Sequence, residues 1–440
     1  MRGRAITVLF AASLIAACGS GAAEPASETA ASTIPVPDTS SVPSTAGTTT
    51  VPAPPTSITA EPVRGLLDPW PATEIDWQSV GSGWVLFTYA VPEALDDPQA
   101  EFDVTLMLLS PNGQTYEVGH PTSPYALSQD VQDVSADGRT ALVASYGDEA
   151  TSYSLLDLPT MSMTMISTTP AAWRVQFSGD DQSLIIEEQF TTPEPSGAWL
   201  VNRITLSRAA VDGTNSQLLV DLPLTSEQQQ LASFFSYVEL ESGEYATTEA
   251  GTGWLRSPDG QPIRQLQLPS DQCTLVTQWS DQMILARCPD TSAEVGCWTN
   301  GLFLIPSTGE PASEFAIPAG ESSCFAGYSN AVALDDRVAL QRGQGEGECT
   351  EQIELIDADS TVIWTPDDDQ PCNATLIGIR NEAWLAHVGP LHGTFGSQYQ
   401  GPGVLYEITP LGNSRPLTPT TLPSSWNSPG VLSNVQIIGS

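Results

Sequence analysis

The chain has no lysine and few basic side chains of any kind. Among its 440 residues, 14 are Arg and 52 are Asp or Glu, giving a formal charge of −38. Such a charge repels polyanions, which argues against a nucleic-acid partner. Only 15% of the residues are charged and 40% are hydrophobic, so the composition is too apolar for a disordered acidic chain. The length suffices for one large domain, or two to three ordinary ones, with a sizeable core.

Apolar runs long enough to span a bilayer are also missing. The longest one, residues 5–17, follows Arg2 and Arg4 and has the length of a signal-peptide core. It ends in Ile15-Ala-Ala-Cys18, which resembles a bacterial lipobox, where small residues precede a Cys that is acylated and becomes the mature N-terminus. The resemblance implies a lipoprotein with signal peptide 1–17, acylation (palmitate) on Cys18, and attachment to the extracytoplasmic side of the cell membrane. The alternative is an ordinary secretory signal cleaved near residue 17. Cleavage leaves 12 Arg and a charge of −40.

The segment after the signal has little that could form a core. Residues 19–62 are nearly all Ala, Ser, Thr, Pro, Gly and Val, with four acidic residues and no aromatic. Such a composition cannot bury enough apolar surface to offset chain entropy. We therefore expect a disordered linker over 18–62, with a reach on the order of 100 Å, followed by a folded domain over 63–440.

Within 63–440, long amphipathic helical patterns are absent. One short helix is expected over 226–234, with Ser226 and Gln229 placed as a capping box. The rest consists of β-branched and aromatic runs of four to eight residues, separated by Asp, Gly, Asn and Ser turns. This pattern predicts an all-β fold.

Two classes of tight turn interleave along the chain. One class comprises Ser82-Gly83, Asp137-Gly138, Asp180-Asp181, Ser242-Gly243, Ser280-Asp281, Asp335-Asp336 and Asn381-Glu382. The other comprises Asn112-Gly113, Pro159-Thr160, Asp212-Gly213, Asp259-Gly260, Thr308-Gly309, Asp359-Ser360 and Gly412-Asn413, at spacings of 47, 53, 47, 49, 51 and 53 residues. Four-strand units repeated at a period near 50 predict a single β-propeller of seven four-stranded blades. Six or eight blades, or a β-sandwich array, are the alternatives. The tail over 431–438 is expected to complete a terminal blade and close the ring.

Four of these turns share a short motif. They are Ser110-Pro-Asn-Gly-Gln114, Ser135-Ala-Asp-Gly-Arg139, Ser178-Gly-Asp-Asp-Gln182 and Ser257-Pro-Asp-Gly-Gln261. They are similar to the Ser-Pro-Asp-Gly turns of TolB-type (WD40-like) propeller repeats. The resemblance implies the propeller fold and little about function, because such propellers scaffold very different activities.

Loop lengths indicate which face of the propeller carries function. The turns between the first and second and between the third and fourth strands of each unit are short, whereas the connections on the opposite face are long, and binding usually sits on long loops. These long loops hold many carboxylates: Asp96, Asp97, Asp148, Glu149, Asp290, Glu294, Glu346, Glu348, Asp367, Asp368 and Asp369. The long-loop face is either a solvated surface or a binding platform for a cation, a basic peptide or a sugar. No segment matches an EF-hand loop, so Ca²⁺ is a weakly supported cofactor and no other cofactor or metal site is predicted.

The seven cysteines divide into Cys18 and a group of six. An even six in an exported chain predicts three disulfides, and no Cys-x-x-Cys metal motif occurs. Cys273 and Cys288 are equidistant from the Ser280-Asp281 turn, so they should face each other across a hairpin. The remaining four, Cys297, Cys324, Cys349 and Cys372, pair either as 297–324 with 349–372 or as 324–349 with 297–372.

Signatures of catalysis are scarce. The three histidines, His120, His387 and His392, are expected to be isolated surface side chains, and no Gly-x-Ser-x-Gly occurs. Trp77, Trp84, Trp173 and Trp279 lie within strands and are expected to pack in the core or between blades rather than to form a sugar platform. No catalytic residues are predicted. The sequence favours a lipid-anchored, extracytoplasmic, non-catalytic binding or scaffold module for an unknown protein, peptide or glycan; the alternative is a carbohydrate-active propeller enzyme, a glycosidase or lyase.

Overall fold

The computed structural model describes the propeller region with gaps. It covers residues 69–92, 102–120, 129–146, 151–166, 168–193, 199–289, 300–316, 327–334, 337–343, 351–356, 361–364, 374–388, 404–418 and 431–438. The predicted signal peptide, Cys18 and the linker therefore lie outside the described residues. All described residues belong to the compact unit Ala60–Ser440. Among them, no helix is both long and apolar enough to cross a membrane.

The described residues form 29 strands and two short 3₁₀ helices. The helices are Ala72–Glu74 and Gln228–Phe234. The strands are β1 (Trp70–Pro71), β2 (Val85–Pro92), β3 (Phe102–Leu109), β4 (Thr115–Gly119), β5 (Gln129–Val134), β6 (Thr140–Tyr146), β7 (Thr151–Asp157), β8 (Ser162–Met165), β9 (Ala172–Phe177), β10 (Ser183–Pro193), β11 (Trp199–Ala210), β12 (Gln217–Pro223), β13 (Ser236–Glu239), β14 (Tyr245–Glu249), β15 (Thr252–Arg256), β16 (Pro262–Leu266), β17 (Thr274–Ser280), β18 (Met283–Pro289), β19 (Asn300–Pro306), β20 (Ser313–Ala316), β21 (Gly327–Leu334), β22 (Arg337–Gly343), β23 (Glu351–Ile356), β24 (Thr361–Trp364), β25 (Ala374–Arg380), β26 (Ala383–Val388), β27 (Val404–Ile408), β28 (Ser414–Pro416) and β29 (Val431–Ile437).

These strands build a single all-β propeller from antiparallel meanders. Five of its sheets have the size of one blade: β5–β8, β9–β12, β13–β16, β25–β28, and a five-stranded sheet of β1, β4, β3, β2 and β29. A sixth sheet, within the described residues, has eight strands, β17–β24, because one parallel pair between Asn300 and Gly327 joins β19 to β21. Hydrogen bonding therefore delimits five separate blades and one double-sized sheet. The expectation of seven separate four-stranded sheets is wrong in this respect.

The five-stranded sheet that contains β1 is here called the first sheet, and the β5–β8 sheet the second. The first sheet shows how the core is divided between neighbouring sheets. Successive side chains of a strand point to opposite faces. Accordingly Trp84 and Leu86 pack with Val131 and other residues of the second sheet, whereas Val85 and Phe87 pack with Leu385 and other residues of the β25–β28 sheet. Each of these six is 7% exposed or less. Both faces of the sheet are thus covered, which is why residues 84–87 form an unbroken apolar run.

The C-terminal strand completes the first sheet, as the sequence predicts. Strand β29 pairs antiparallel with β2 from Val85↔Ile437 to Ala90↔Val431. The fully buried Ile438 follows it and donates its N–H to the carbonyl of Trp84 at 2.9 Å. Gly138 takes a positive φ of 64° in the adjoining turn, where a Cβ would lie only 2.5 Å from Val80 and 2.9 Å from Ile438. The first sheet therefore contains strands from both ends of the propeller.

The shared turn motif has one local structure at two positions of the meander. In the turn after β5, the Ser135 hydroxyl donates to Asp137 at 2.7 Å and Gly138 N–H donates to the Ser135 carbonyl at 2.8 Å. Ser257 and Gly260 repeat the backbone bond after β15, also at 2.8 Å. The motif therefore encodes a tight turn wherever two strands meet.

The helix in the structure is shorter than the expected one, and the side-chain pair at its start is shifted by one residue from the predicted pair. It is the 3₁₀ helix Gln228–Phe234 rather than a helix over 226–234. The N–H and hydroxyl of Thr225 both approach Gln228 Oε1, at 3.1 and 3.0 Å. Thr225 and Gln228, each one residue before the predicted Ser226 and Gln229, thus interact at the start of the helix, and the Gln228 N–H bonds to the Thr225 carbonyl rather than to its hydroxyl.

A disulfide joins Cys273 to Cys288, the pair that the sequence places across a hairpin. Their Cα atoms are 4.1 Å apart, and both residues are buried against Leu275 and Ile284. Cys297, Cys324, Cys349 and Cys372 lie outside the described residues, so their pairing stays a prediction.

Removing this disulfide should destabilise the propeller. A bridge that closes a loop of this length, 15 residues apart in sequence, limits the unfolded chain and contributes about 2–4 kcal/mol. We expect the double variant Cys273→Ala/Cys288→Ala to lose that amount in urea unfolding under oxidising conditions. An unchanged unfolding midpoint would contradict this expectation.

Candidate functional site in the central channel

The first strands of the sheets converge on a central channel. One cavity of about 420 Å³ is lined by residues from β5, β9, β25 and β29, which belong to four different sheets. A second cavity of about 570 Å³ is lined by residues from β13, β17 and the turns beside them, by the turn after β9, and by Arg208 of β11. Both include Gly179, so they adjoin. Their turn residues come from short turns between first and second strands, and we call this end of the channel the short-turn mouth.

Bulges shape the strands that line the channel. In β5, β17, β21 and β25, the pairing with the following strand skips Gln132, Val276, Ser329 and Ile377 respectively. In β9, Arg174 pairs with Glu187 and Ala172 with Glu188, which leaves Trp173 unmatched. A bulge bends its strand and redirects the extra side chain. Trp173 is 66% exposed, so the expectation that it packs in the core is wrong. Trp84 is buried, and Trp77 and Trp279 pack against core clusters.

Carboxylates at the mouth bind backbone amides of the neighbouring sheet. Asp133 of β5 accepts the N–H of Phe177 at 2.8 Å, and Asp181 accepts the N–H of Ala136 at 2.6 Å. The two bonds run in opposite directions between the same pair of sheets. Burial raises the pKa of Asp133. The hydrogen bonds that its carboxylate accepts from the backbone N–H groups of Phe177 and Val134 oppose that rise.

The same device recurs at the next junction. Glu239 accepts the N–H of Gly179 at 2.9 Å and pairs with Arg208 at 2.5 Å. Gln278 then accepts the N–H of Glu241 at 2.7 Å. These acidic and amide side chains hold adjacent sheets at fixed positions, so the mouth is both rigid and negatively charged.

A buried polar cluster lies deeper, behind the first strand of β9–β12. Glu187 is 5% exposed and accepts a bond from Gln189 at 2.8 Å. The Arg174 guanidinium lies 5.7 Å from the centre of the Tyr237 ring. The Tyr237 hydroxyl is buried and has no hydrogen-bond partner among the described residues. Burial raises the pKa of Glu187 and of Tyr237. Burial in this cluster therefore disfavours the charged form of both groups.

Replacing Glu187 by Gln should stabilise the protein at neutral pH. Its folded pKa is raised above the ordinary 4.5, so its ionised form is disfavoured by folding as pH rises through the folded pKa. The gain in Glu187→Gln should therefore be absent below about pH 4.5 and present at pH 7. Urea unfolding at both pH values measures it, with the exposed Glu227→Gln as the control. A variant less stable than wild type at pH 7 would contradict the prediction.

The carboxylates predicted from the sequence are not part of this described site. Asp96, Asp97, Asp148, Glu149, Asp290, Glu294, Glu346, Glu348, Asp367, Asp368 and Asp369 all lie outside the described residues. The long-loop face is therefore still a prediction, as is Ca²⁺ binding. In the part of the chain that the structure describes, no group of three His, Cys, Asp or Glu could hold a metal ion.

His387 differs from the expected surface histidine. It lies in β26, and burial lowers its pKa to about 4. Its Nε2 atom is buried without a partner among the described residues. His120 is exposed beside Thr105 and Glu117, as expected, and His392 lies outside the described residues.

Comparisons with known proteins place the chain by its fold. No family model and no curated protein matches it. Among solved structures it is similar to the acylaminoacyl peptidase of Pyrococcus horikoshii, with a TM-score of 0.50 and 11% identity over 78% of this chain and 51% of that one. It is also similar to the β-propeller domain of the Trilobed protease from Pyrococcus furiosus (0.49, 11%, 78% and 94%) and to TolB from Acinetobacter baumannii (0.41, 10%, 80% and 66%).

These likenesses concern the fold alone. The chain spans about half the length of the peptidase chains that it matches. At 10–11% identity, function does not follow from a shared scaffold.

Proposed function

We propose that the chain is a non-catalytic binding or scaffold propeller that recognises a cationic partner through its acidic surfaces. The observation that carries this proposal is the short-turn mouth. There Asp181 is fixed by a backbone amide of the neighbouring sheet, and Glu241 and Asp281 are exposed nearby, whereas Glu239 is paired with Arg208. Rigid, like-charged groups around a cleft attract and orient a partner of opposite charge.

The chemistry of the mouth favours a peptide or protein segment rich in Arg or Lys. The formal charge of −38 adds a long-range attraction for cations and repels anionic partners. The long-loop face predicted from the sequence would be a second acidic surface, on the opposite face of the propeller.

We further propose that the double-sized sheet comprises two blades. Strands β17–β20 and β21–β24 are each a four-stranded antiparallel meander, and the single pair Asn300↔Gly327 is their only pairing among the described strands. Divided there, the ring has seven blades.

The proposed location is the extracytoplasmic side of a membrane, with Cys18 carrying the lipid. The support is the lipobox resemblance of residues 15–18. Expressed in a bacterium, the wild-type chain should partition into the detergent phase, and Cys18→Ser should move it to the aqueous phase. A Cys18→Ser variant that stays in the detergent phase would contradict the anchoring proposal.

Binding is tested with a defined Arg- and Lys-rich peptide followed by fluorescence anisotropy, and with an acidic peptide as the negative probe. Neutralising the exposed mouth in Glu241→Gln/Asp281→Asn should weaken the complex about three- to tenfold. The control Glu310→Gln/Glu314→Gln removes the same charge from exposed positions at the outer edge of the β17–β24 sheet and should leave affinity unchanged.

A third variant separates the two acidic faces. Asp367→Asn/Asp368→Asn/Asp369→Asn tests the long-loop face, and weakening there would move the site to that face. Equal affinity of wild type and all three variants would overturn the proposal. The glycosidase or lyase alternative stays a prediction.

A further inference from the structure

Methionine is concentrated at one place on the outer rim. The chain has six methionines, and three of them occur within five residues, in Met161-Ser-Met-Thr-Met165. This segment ends the turn after β7 and forms β8, the outermost strand of the second sheet. We call these three residues the methionine row.

The row lies on one face of the strand, towards the first sheet. Met163 pairs with Leu156 and Met165 with Ser154 on β7. Alternate residues of a strand share a face. Leu156 packs in the core between the first and second sheets, and Met161 packs against that same core. Met161, Met163 and Met165 therefore follow one another along the edge of the groove between these sheets.

Exposure increases along the row from its beginning to its end. The Met161 side chain packs on Gly119, where a Cβ would lie only 3.1 Å from its Cγ and Cε atoms. Met163 is 36% exposed and Met165 is 75% exposed. Core packing accounts for Met161 and in part for Met163, which lines a small apolar cavity with Leu156. It does not account for Met165, whose thioether is presented to solvent on an edge strand, where charged or polar residues are usual.

Three neighbouring thioethers are a donor set for a soft metal ion. Thioethers are uncharged and polarizable, and they select Cu(I) over hard ions such as Ca²⁺ or Mg²⁺. Met163 and Met165 are alternate residues of β8, so their Cα atoms are roughly 6.5–7 Å apart. Met161 directly precedes the strand and has a positive φ of 56°. Each methionine reaches its sulfur through three rotatable bonds. The sulfurs of adjacent members of the row can therefore converge on one ion.

We propose that Met161, Met163 and Met165 form a binding site for a soft monovalent metal ion, Cu(I) or its redox-stable analogue Ag(I). Met161 is the anchored ligand, and the two exposed side chains close on the ion. The proposal is independent of the acidic mouth, which lies at the channel.

The test is titration with Ag(I) by calorimetry on the oxidised protein, with any free thiol blocked by iodoacetamide. Wild type should bind one equivalent that is lost in Met161→Leu/Met163→Leu/Met165→Leu. Leucine keeps the size and apolar character of each side chain while removing the sulfur. Met283→Leu, a single methionine on another sheet, is the matched control and should bind as wild type does. Equal binding by the triple variant would overturn the proposal.

A second measurement does not depend on the variants. Hydrogen peroxide should oxidise Met165 before Met161, following their exposure. One equivalent of Ag(I) should slow oxidation of Met163 and Met165 at least severalfold, as read by peptide mass spectrometry, and should leave Met283 unaffected. Oxidation of the row at the same rate with and without Ag(I) would contradict a metal site there.

Discussion

Replacing Arg380 with Met should lower the free energy of unfolding by about 3–5 kcal/mol. Arg380 ends β25, and its side chain is fully buried. It donates to the carbonyls of Gly83 and Ser110 in the first sheet and to Glu407 in its own sheet. The Arg380 guanidinium thus links the β25–β28 sheet, which is the last repeat in the chain, to the first sheet.

The cost arises from the groups that Arg380 leaves behind. Methionine fills much of the volume but donates no hydrogen bond, so two buried carbonyls and part of the Glu407 carboxylate lose their partner. Arg415→Met is the matched control, because Arg415 pairs with the same carboxylate but is 63% exposed. It should cost about 1 kcal/mol or less. Urea unfolding of the two variants measures the difference, and equal costs would contradict a closing role for Arg380.

Ending the chain at residue 430 should abolish cooperative unfolding. The truncation removes β29, which supplies the inner edge of the first sheet, and the fully buried Ile438. The hydrogen-bonding edge of β2 and the apolar groove around Val80 would then be open. Because native proteins are stable by only about 5–15 kcal/mol, we expect a partly unfolded, aggregation-prone chain.

Two controls keep this prediction specific. Removing only residues 439–440 should leave the thermal midpoint unchanged, since both lie beyond Ile438. A synthetic peptide of residues 429–440, added in excess, should restore a cooperative transition to the truncated chain by supplying the strand in trans. A truncated chain that melts like wild type without the peptide would show that β29 is dispensable.

The fold could be predicted because its signals are local. The Ser-x-Asp-Gly turns hydrogen bond within five residues, as Ser135 and Gly138 do, so their spacing reports the repeat directly. The strand over 431–438 could be predicted from its own pattern. The pairing Asn300↔Gly327 could not, because one hydrogen-bonded pair between meanders leaves no periodic trace in the sequence.

The candidate site was harder to predict because its interactions are not local. Nothing in the sequence distinguishes Asp133 from a solvent-exposed acid. Its carboxylate nevertheless accepts a hydrogen bond from the backbone N–H of Phe177, 44 residues away. Trp173 reads as a core residue in an alternating strand, and only the bulge against Glu187 and Glu188 exposes it. His387 directly follows the apolar run Ala383–Ala386, which is buried. That neighbouring run could have indicated that His387 is not a surface histidine. The raised pKa of Glu187 follows from burial, which no residue pattern encodes.

The most direct test of the central claim is to map where a bound cationic peptide lies. An Arg- and Lys-rich peptide carrying a photo-crosslinker is bound to wild type at low salt, irradiated and analysed by mass spectrometry. We predict crosslinks to the short-turn mouth, at residues 179–181, 239–243 and 278–281, that are lost at high salt. Crosslinks spread evenly over the outer strands, or no more numerous than those of an acidic control peptide, would contradict the account.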